Sequence, residues 1–97
     1  MSVTLVGGMD RMAPHYQNEA KKQGIKLQIF SQAQTGMESK IRNSDALVLF
    51  TNKVSHQARN TAIAEAKKQD IPIYQFHSCG LCTLRDCLNC LKKQGIH

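Results

Sequence analysis

The chain lacks any apolar run close to the ~18 residues that a membrane-spanning helix needs. Its first ten residues, MSVTLVGGMD, also lack the basic n-region of a secretory signal. We therefore expect a cytoplasmic protein with no membrane partner. Thiols stay reduced in that compartment, so clustered cysteines there are more typical of metal binding or redox chemistry than of a disulfide framework. Low-complexity tracts are absent too, and 41% hydrophobic content over 97 residues predicts a single domain, residues 1–97.

Aromatic and acidic residues are both scarce. The three phenylalanines and two tyrosines offer little base stacking, and most of them fall in predicted core strands. The formal net charge of +6 nevertheless keeps a nucleic-acid-binding regulator open, because Lys and Arg supply most of the non-specific affinity for phosphates. The acidic residues are scattered, and we expect the glutamates on helix surfaces. No constellation for hydrolysis or group transfer emerges, so a conventional enzyme is the less favoured interpretation.

Lysine pairs recur in a weak internal repeat. The tetrapeptides KKQG, KKQD and KKQG begin at Lys21, Lys67 and Lys92, and each is followed by isoleucine. Cations in a last helical turn complement the negative end of the helix dipole, and Gly or Asp marks the stop that follows. The repeat therefore indicates helix ends more than a nucleic-acid surface.

Strand and helix patterns alternate along the chain. Short β-branched or apolar runs predict four strands, SVTLVGG, IKLQIF, ALVLF and IPIYQF. Between and after them, helical patterns cover about Arg11–Gln23, Met37–Asn43, residues 55–69 with Ser55 as cap, and a cysteine-rich helix at 78–94. The alternation predicts a small Rossmann-like α/β fold with three layers. We expect a four-stranded parallel sheet in the order 2-1-3-4 with helices on both faces.

Polar residues and glycines follow the predicted strands. In open parallel sheets, ligands bind outside the carboxyl ends of the strands, near the point where strand order reverses. The glycine pair after the first strand is a tight turn that leaves room for an anion at the next helix. A neutral imidazole is the commonest metal ligand. The candidate cofactor-binding residues at this edge are Gly7, Gly8, Thr51, Ser55, His56 and His77.

Three segments resemble a known family. The glycine pair, the SDALVLFT strand and the TNKVSHQA segment are similar to the Rossmann-like proteins catalogued as domain of unknown function family 2325. The resemblance spans nearly the whole chain, and its sharpest signature is Val54, Ser55 and His56. The family has no assigned activity, and the resemblance implies a link to haem. The chain departs from the pattern at Ser31 and Gln32, where His and Gly are expected, and its four cysteines resemble a subgroup addition.

Every cysteine of the chain lies in HSCGLCTLRDCLNC, residues 77–90. Cys79, Cys82, Cys87 and Cys90 form two CxxC pairs four residues apart. Each pair has the spacing of a two-thiolate bite for zinc or iron, and also of a dithiol redox couple. Zinc ribbons separate their pairs by about 12 to 20 residues. The bacterial iron–sulfur run is spaced differently, and no His follows either CxxC as covalent haem attachment requires.

Helix geometry limits how the tetrad can act. On a continuous helix the four cysteines fall within about 140° of one another, so we expect them to share a face, but the two pairs are centred about 12 Å apart. Four thiolates about 2.3 Å from one zinc ion cannot span that distance. Three arrangements remain. The helix breaks near Gly80, the two pairs bind separate centres, or a pair from one protomer of a homodimer meets a pair from the other. Cys79 and Cys82 lie at the helix start, where the dipole stabilises a thiolate.

Three functions therefore compete. The first is a small metallocofactor-binding protein with a redox-sensing or regulatory role, in which His56, His77 or a cysteine ligates haem iron, or thiolates hold zinc or iron. The second is a thiol–disulfide switch or oxidoreductase that uses Cys79 and Cys82. The third is the nucleic-acid-binding regulator.

Overall fold

The computed structural model describes residues 1–30, 35–52, 54–77 and 80–93. The predicted order of elements is confirmed. The third strand has the predicted bounds, whereas the first helix starts later than predicted because Arg11 lies in a 3-10 turn, Asp10–Met12. The elements are β1 (Ser2–Gly7), α1 (Ala13–Lys22), β2 (Lys26–Phe30), α2 (Met37–Arg42), β3 (Ala46–Phe50), α3 (His56–Lys68), β4 (Ile73–Phe76) and α4 (Leu81–Lys93).

The four strands form one parallel sheet in the order β2-β1-β3-β4, as the sequence predicted. The register sets Gly7 opposite Phe50, and Phe50 opposite Phe76. Because all strands run the same way, the residues after β1, β3 and β4 emerge at one edge of the sheet. The Rossmann-like α/β architecture is therefore established.

Helices cover both faces of the sheet. Alternate residues of β3 point to opposite faces, and all five are fully buried. On one face α1 and α4 pack against Val48 and Phe50, and on the other α2 and α3 pack against Leu47 and Leu49. No helix in the described part of the chain is long and apolar enough to cross a membrane.

The lysine repeat ends α1 and α3 in the same way. Residues Gly24 and Asp70 adopt positive φ, at 72° and 59°. The next residue then donates its N–H back into the helix, from Ile25 to the Ala20 carbonyl at 2.9 Å and from Ile71 to the Ala66 carbonyl at 2.8 Å. This hydrogen bond closes the helix and aims the chain into the next strand. After Lys92, α4 ends at Lys93, and the rest of the third repeat lies outside the described residues.

Two glutamates depart from the expectation that they lie on helix surfaces. Glu19 is 5% exposed and Glu65 is 7% exposed. An arginine of the neighbouring helix compensates each carboxylate: Arg85 for Glu19 at 3.3 Å and Arg42 for Glu65 at 3.6 Å. Burial of a carboxylate is tolerated when it is paired and hydrogen-bonded. The expectation was wrong because the compensating partners are distant in sequence.

Candidate functional site

The glycine pair forms a tightly packed turn at the carboxyl end of β1. Both glycines are buried and have positive φ, 99° for Gly7 and 91° for Gly8. A Cβ on Gly8 would lie 3.1 Å from Cε2 of Tyr16 and 3.3 Å from Cδ2 of Phe50. Glycine is therefore required here both by backbone conformation and by space. These contacts explain the pair by packing alone.

Thr51 joins the ends of β3 and β4. Its backbone N–H donates to the Phe76 carbonyl at 2.9 Å, and its Oγ1 donates to the same carbonyl at 3.4 Å. His77 follows Phe76 directly and is exposed. The predicted neighbourhood of Thr51 and His77 at one edge of the sheet is therefore present, with the hydroxyl of Thr51 engaged by the backbone.

Ser55 and His56 open α3. Ser55 is the helix cap, with φ −71° and ψ 148°, and its Oγ accepts the N–H of Ala58 at 3.2 Å. A cap of this kind satisfies one of the free N–H groups of the first turn. His56 is the first helical residue and is exposed. The serine therefore has a local structural role, while the imidazole reaches solvent.

The cysteines of α4 differ in environment. Cys82, in the first turn, and Cys90 are exposed, whereas Cys87 is 5% exposed and packs in the core that α1 and α4 share. Cys79 lies outside the described residues. An arc of about 140° is wide enough to reach from the solvent side of a helix to its buried side. The tetrad therefore does not present all of its sulfurs in one direction.

Burial changes the chemistry of one thiol. Loss of solvent around Cys87, and secondarily the negative charge of a nearby Cys90 thiolate, raise the pKa of the Cys87 thiol from 9.0 to about 11. The thiolate is the form that ligates metals and attacks electrophiles, and at neutral pH the raised pKa keeps Cys87 in the thiol form. Cys87 therefore differs from Cys82 and Cys90, which are both exposed.

His56 and the cysteines of α4 lie on helices that cover opposite faces of the sheet. Both helices begin at the carboxyl edge, since each follows a strand of the same parallel sheet. However, α3 packs with α2 on one face, and α4 packs with α1 on the other. The sequence-based hypothesis placed His56 beside His77 and the first cysteine pair, in one site at the carboxyl edge of the sheet. In the fold, His77 is the histidine nearer to Cys82 along the chain, and His56 starts a helix across the sheet.

Metal and haem ligation make different demands on this edge. Among residues 1–30, 35–52, 54–77 and 80–93, no three His, Cys, Asp or Glu side chains cluster closely enough to hold an ion. A thiolate site therefore needs Cys79, which is outside that set. Haem needs an apolar surface against its macrocycle, and the described residues include no exposed large hydrophobic side chain.

Sequence reasoning missed the two buried glutamates. The signal that identifies them is the wider repeat EAKKQ, present at Glu19 and again at Glu65. In both copies the glutamine four residues later donates to the carboxylate, Gln23 at 3.4 Å and Gln69 at 3.0 Å. A residue pattern repeated at two helix ends indicates a shared packing role, which here joins neighbouring helices.

A protein-family model matches nearly the whole chain. The model of the family described as "Uncharacterized protein conserved in bacteria (DUF2325)" matches residues 2–91. No curated protein and no solved structure matches the chain.

Proposed function

Because the chain belongs to this family of bacterial proteins without an assigned activity, we propose its function from its own side chains. It is a small metal-binding protein with a redox-sensing role. It holds zinc or iron through cysteine thiolates at the start of α4. The metal is the resident cofactor, and the thiolates that bind it are also the groups that respond to oxidation.

The observation that carries the proposal is the unequal environment of the α4 cysteines. Cys82 is exposed in the first turn of the helix, at the carboxyl edge of the sheet. Free N–H groups of a first turn and the helix dipole favour a negatively charged sulfur. Cys87 is buried and keeps its proton at neutral pH. Cys79 and Cys82 are therefore the ligand pair, and the CxxC spacing lets both sulfurs reach one ion.

The remaining ligands follow from distance along the chain. Cys82 and Cys90 are separated by eight residues of helix, a rise of about 12 Å, so they cannot bind the same zinc ion. His77 lies between β4 and the cysteine segment and is exposed. Cys79, Cys82 and His77 give three ligands, and tetrahedral zinc then keeps one open position.

Redox sensing follows from a two-thiolate site. A peroxide that accepts two electrons from the two sulfurs, together with two protons, leaves as water while a Cys79–Cys82 disulfide forms. A disulfide is a poor ligand compared with two thiolates, so the metal is released. Oxidation is thereby converted into a change of metal occupancy.

The test is metal analysis and an ultraviolet–visible spectrum of protein purified without oxygen. We expect about one zinc or iron per chain. Replacing Cys82 by Ser removes most of the metal, whereas Cys90→Ser, a matched exposed cysteine of the same helix, leaves it bound. His77→Ala lowers metal content, and the exposed His15, replaced by Ala, is its control.

Other outcomes would favour the alternatives. A metal-free protein in which Cys79 and Cys82 cycle between dithiol and disulfide would make it an oxidoreductase. A Soret band on adding haemin, lost in His56→Ala, would make it a haem protein. Equal metal loss in Cys82→Ser and Cys90→Ser would overturn the assignment of the first pair.

A further inference from the structure

The two edges of the sheet are protected differently. At the β2 edge, Lys26 is exposed, and Nε2 of Gln17 donates to the Leu27 carbonyl at 3.0 Å. Charge and side-chain capping of this kind prevent another strand from adding to an edge. At the opposite edge, β4 has the sequence IYQF, and the preceding residues from Ile71 are uncharged as well. The β4 edge therefore lacks the charges that usually block pairing.

The backbone of β4 presents hydrogen-bonding groups at this edge. Pro72 accepts the N–H of Leu47 and Phe76 accepts the N–H of Thr51, both at 2.9 Å. In a parallel pair, residues bond alternately toward the partner strand and away from it. The even-numbered residues of β4 therefore bond to β3, and the N–H and C=O groups of Ile73 and Gln75 point outward.

Apolar side chains flank these outward groups. Ile73, Tyr74 and Phe76 are each half-buried, whereas every residue of β3 is fully buried. Ile63 and Ile71 extend the half-buried strip on the α3 face, and Leu81 extends it on the α4 face. Further burial of these side chains would remove apolar surface from water, which favours association.

We propose that the β4 edge binds a second copy of this chain, with the two β4 strands antiparallel and the two sheets joined into one. Charge points to a second copy. A net charge of +6 makes two copies repel each other over most of their surface, but the segment 71–76 carries no charge. Antiparallel pairing also brings the exposed Asp70 at one end of the segment near the exposed His77 of the other copy.

The register follows from the outward groups. Only residues that direct their backbone outward can form hydrogen-bonded pairs, and the register that pairs both outward residues of β4 in each copy sets Ile73 of one copy opposite Gln75 of the other. This pairing occurs twice around a two-fold axis and sets Tyr74 opposite its symmetry mate. Aromatic residues directly opposite in a non-hydrogen-bonded pair are favourable.

The dimer does not share the metal site. Antiparallel β4 strands direct the carboxyl edges of the two sheets to opposite ends of the assembly, so the two copies of Cys82 lie apart. Because His77 is both a proposed metal ligand and a neighbour of Asp70 of the other copy, the two proposals are told apart by Cys82→Ser, which removes a metal ligand but no residue of the β4 contact.

The test is sedimentation equilibrium over a wide concentration range, together with amide hydrogen exchange. We expect reversible association and slower exchange at the Ile73 and Gln75 amides as concentration rises. Gln75→Pro removes one outward donor without breaking a β3–β4 hydrogen bond, because proline is tolerated where the N–H faces away from the sheet. It abolishes dimerisation, with the fold checked by circular dichroism.

A charge variant provides a second route if the proline perturbs folding. Gln75→Lys weakens association about tenfold or more. The two β4 edges face each other in the dimer, so the substitution places two like charges in the interface. Gln57→Lys adds the same charge on the exposed surface of α3 and leaves association unchanged. A chain that stays monomeric at every concentration overturns the proposal. A dimer that persists in both Gln75 variants also overturns it. Slow hydrogen exchange of the Ile73 amide in dilute monomer would do the same.

Discussion

Arg85 Nε lies 3.3 Å from Oε1 of Glu19 and so joins α4 to α1 across their shared core. Arg42 Nε lies 3.6 Å from Oε2 of Glu65 and joins α2 to α3 on the other face. In each pair the carboxylate is buried and the arginine is about half exposed. One buried acid therefore ties the two helices of each layer together.

Removing the arginine of the first pair should destabilise the fold. Arg85→Ala leaves the Glu19 carboxylate buried with only Gln23 as a described partner, and we expect the free energy of unfolding to fall by about 1–2 kcal/mol. The estimate is below that of a fully buried pair because solvent screens the exposed arginine. Urea denaturation measures the change. Lys22→Ala, on the exposed side of α1, should change stability by less than about 0.5 kcal/mol, and an equal effect would contradict the role of the pair.

Gly24 and Asp70 occupy the same positive-φ position after α1 and α3, so opposite substitutions at the two sites can be compared. Asp70→Gly should raise the free energy of unfolding by about 0.5 kcal/mol, because glycine adopts positive φ without the steric cost of a Cβ. Gly24→Ala should lower it by about 1 kcal/mol for the same reason. A Cβ at Gly24 has no neighbouring atom within 4 Å, so no clash contributes. Thermal denaturation of both variants tests the pair, and changes of the same sign would refute the explanation.

Alkaline pH should weaken the fold through Cys87. Its pKa is raised from 9.0 to about 11 in the folded protein, so its stabilisation is complete below pH 9. Between pH 9 and 11 only the unfolded chain loses this proton, and the free energy of unfolding falls by about 2 kcal/mol. Denaturation at several pH values measures the slope.

Other groups titrate in the same range, so the variant comparison isolates this thiol. Cys87→Ala is less stable at neutral pH because it leaves a cavity, but its stability should decline less between pH 9 and 11 than that of the wild type. Cys90→Ala, at an exposed position, should retain most of the wild-type slope. If Cys87→Ala and the wild type have parallel profiles, the buried thiol is not responsible.

Local patterns were sufficient for much of the fold. The apolar run ALVLF predicted β3 with its observed bounds, because a strand buried on both faces has no polar position. Ser55 predicted the start of α3, since a cap bonds only within its own first turn. The KKQ repeats marked two helix ends for a similar reason. Each of these features depends on residues within a few positions of one another.

Periodicity and short connections in the sequence were sufficient to predict the order of the elements, the strand order of the parallel sheet and the gathering of strand ends at one edge. The tertiary structure places α3 and α4 on opposite faces of the sheet, so His56 and Cys82 belong to helices of different layers. It also decided that Cys87 is buried and that Glu19 meets Arg85. These outcomes depend on contacts between residues far apart in the chain, and local periodicity carries no information about which distant side chain fills a given space.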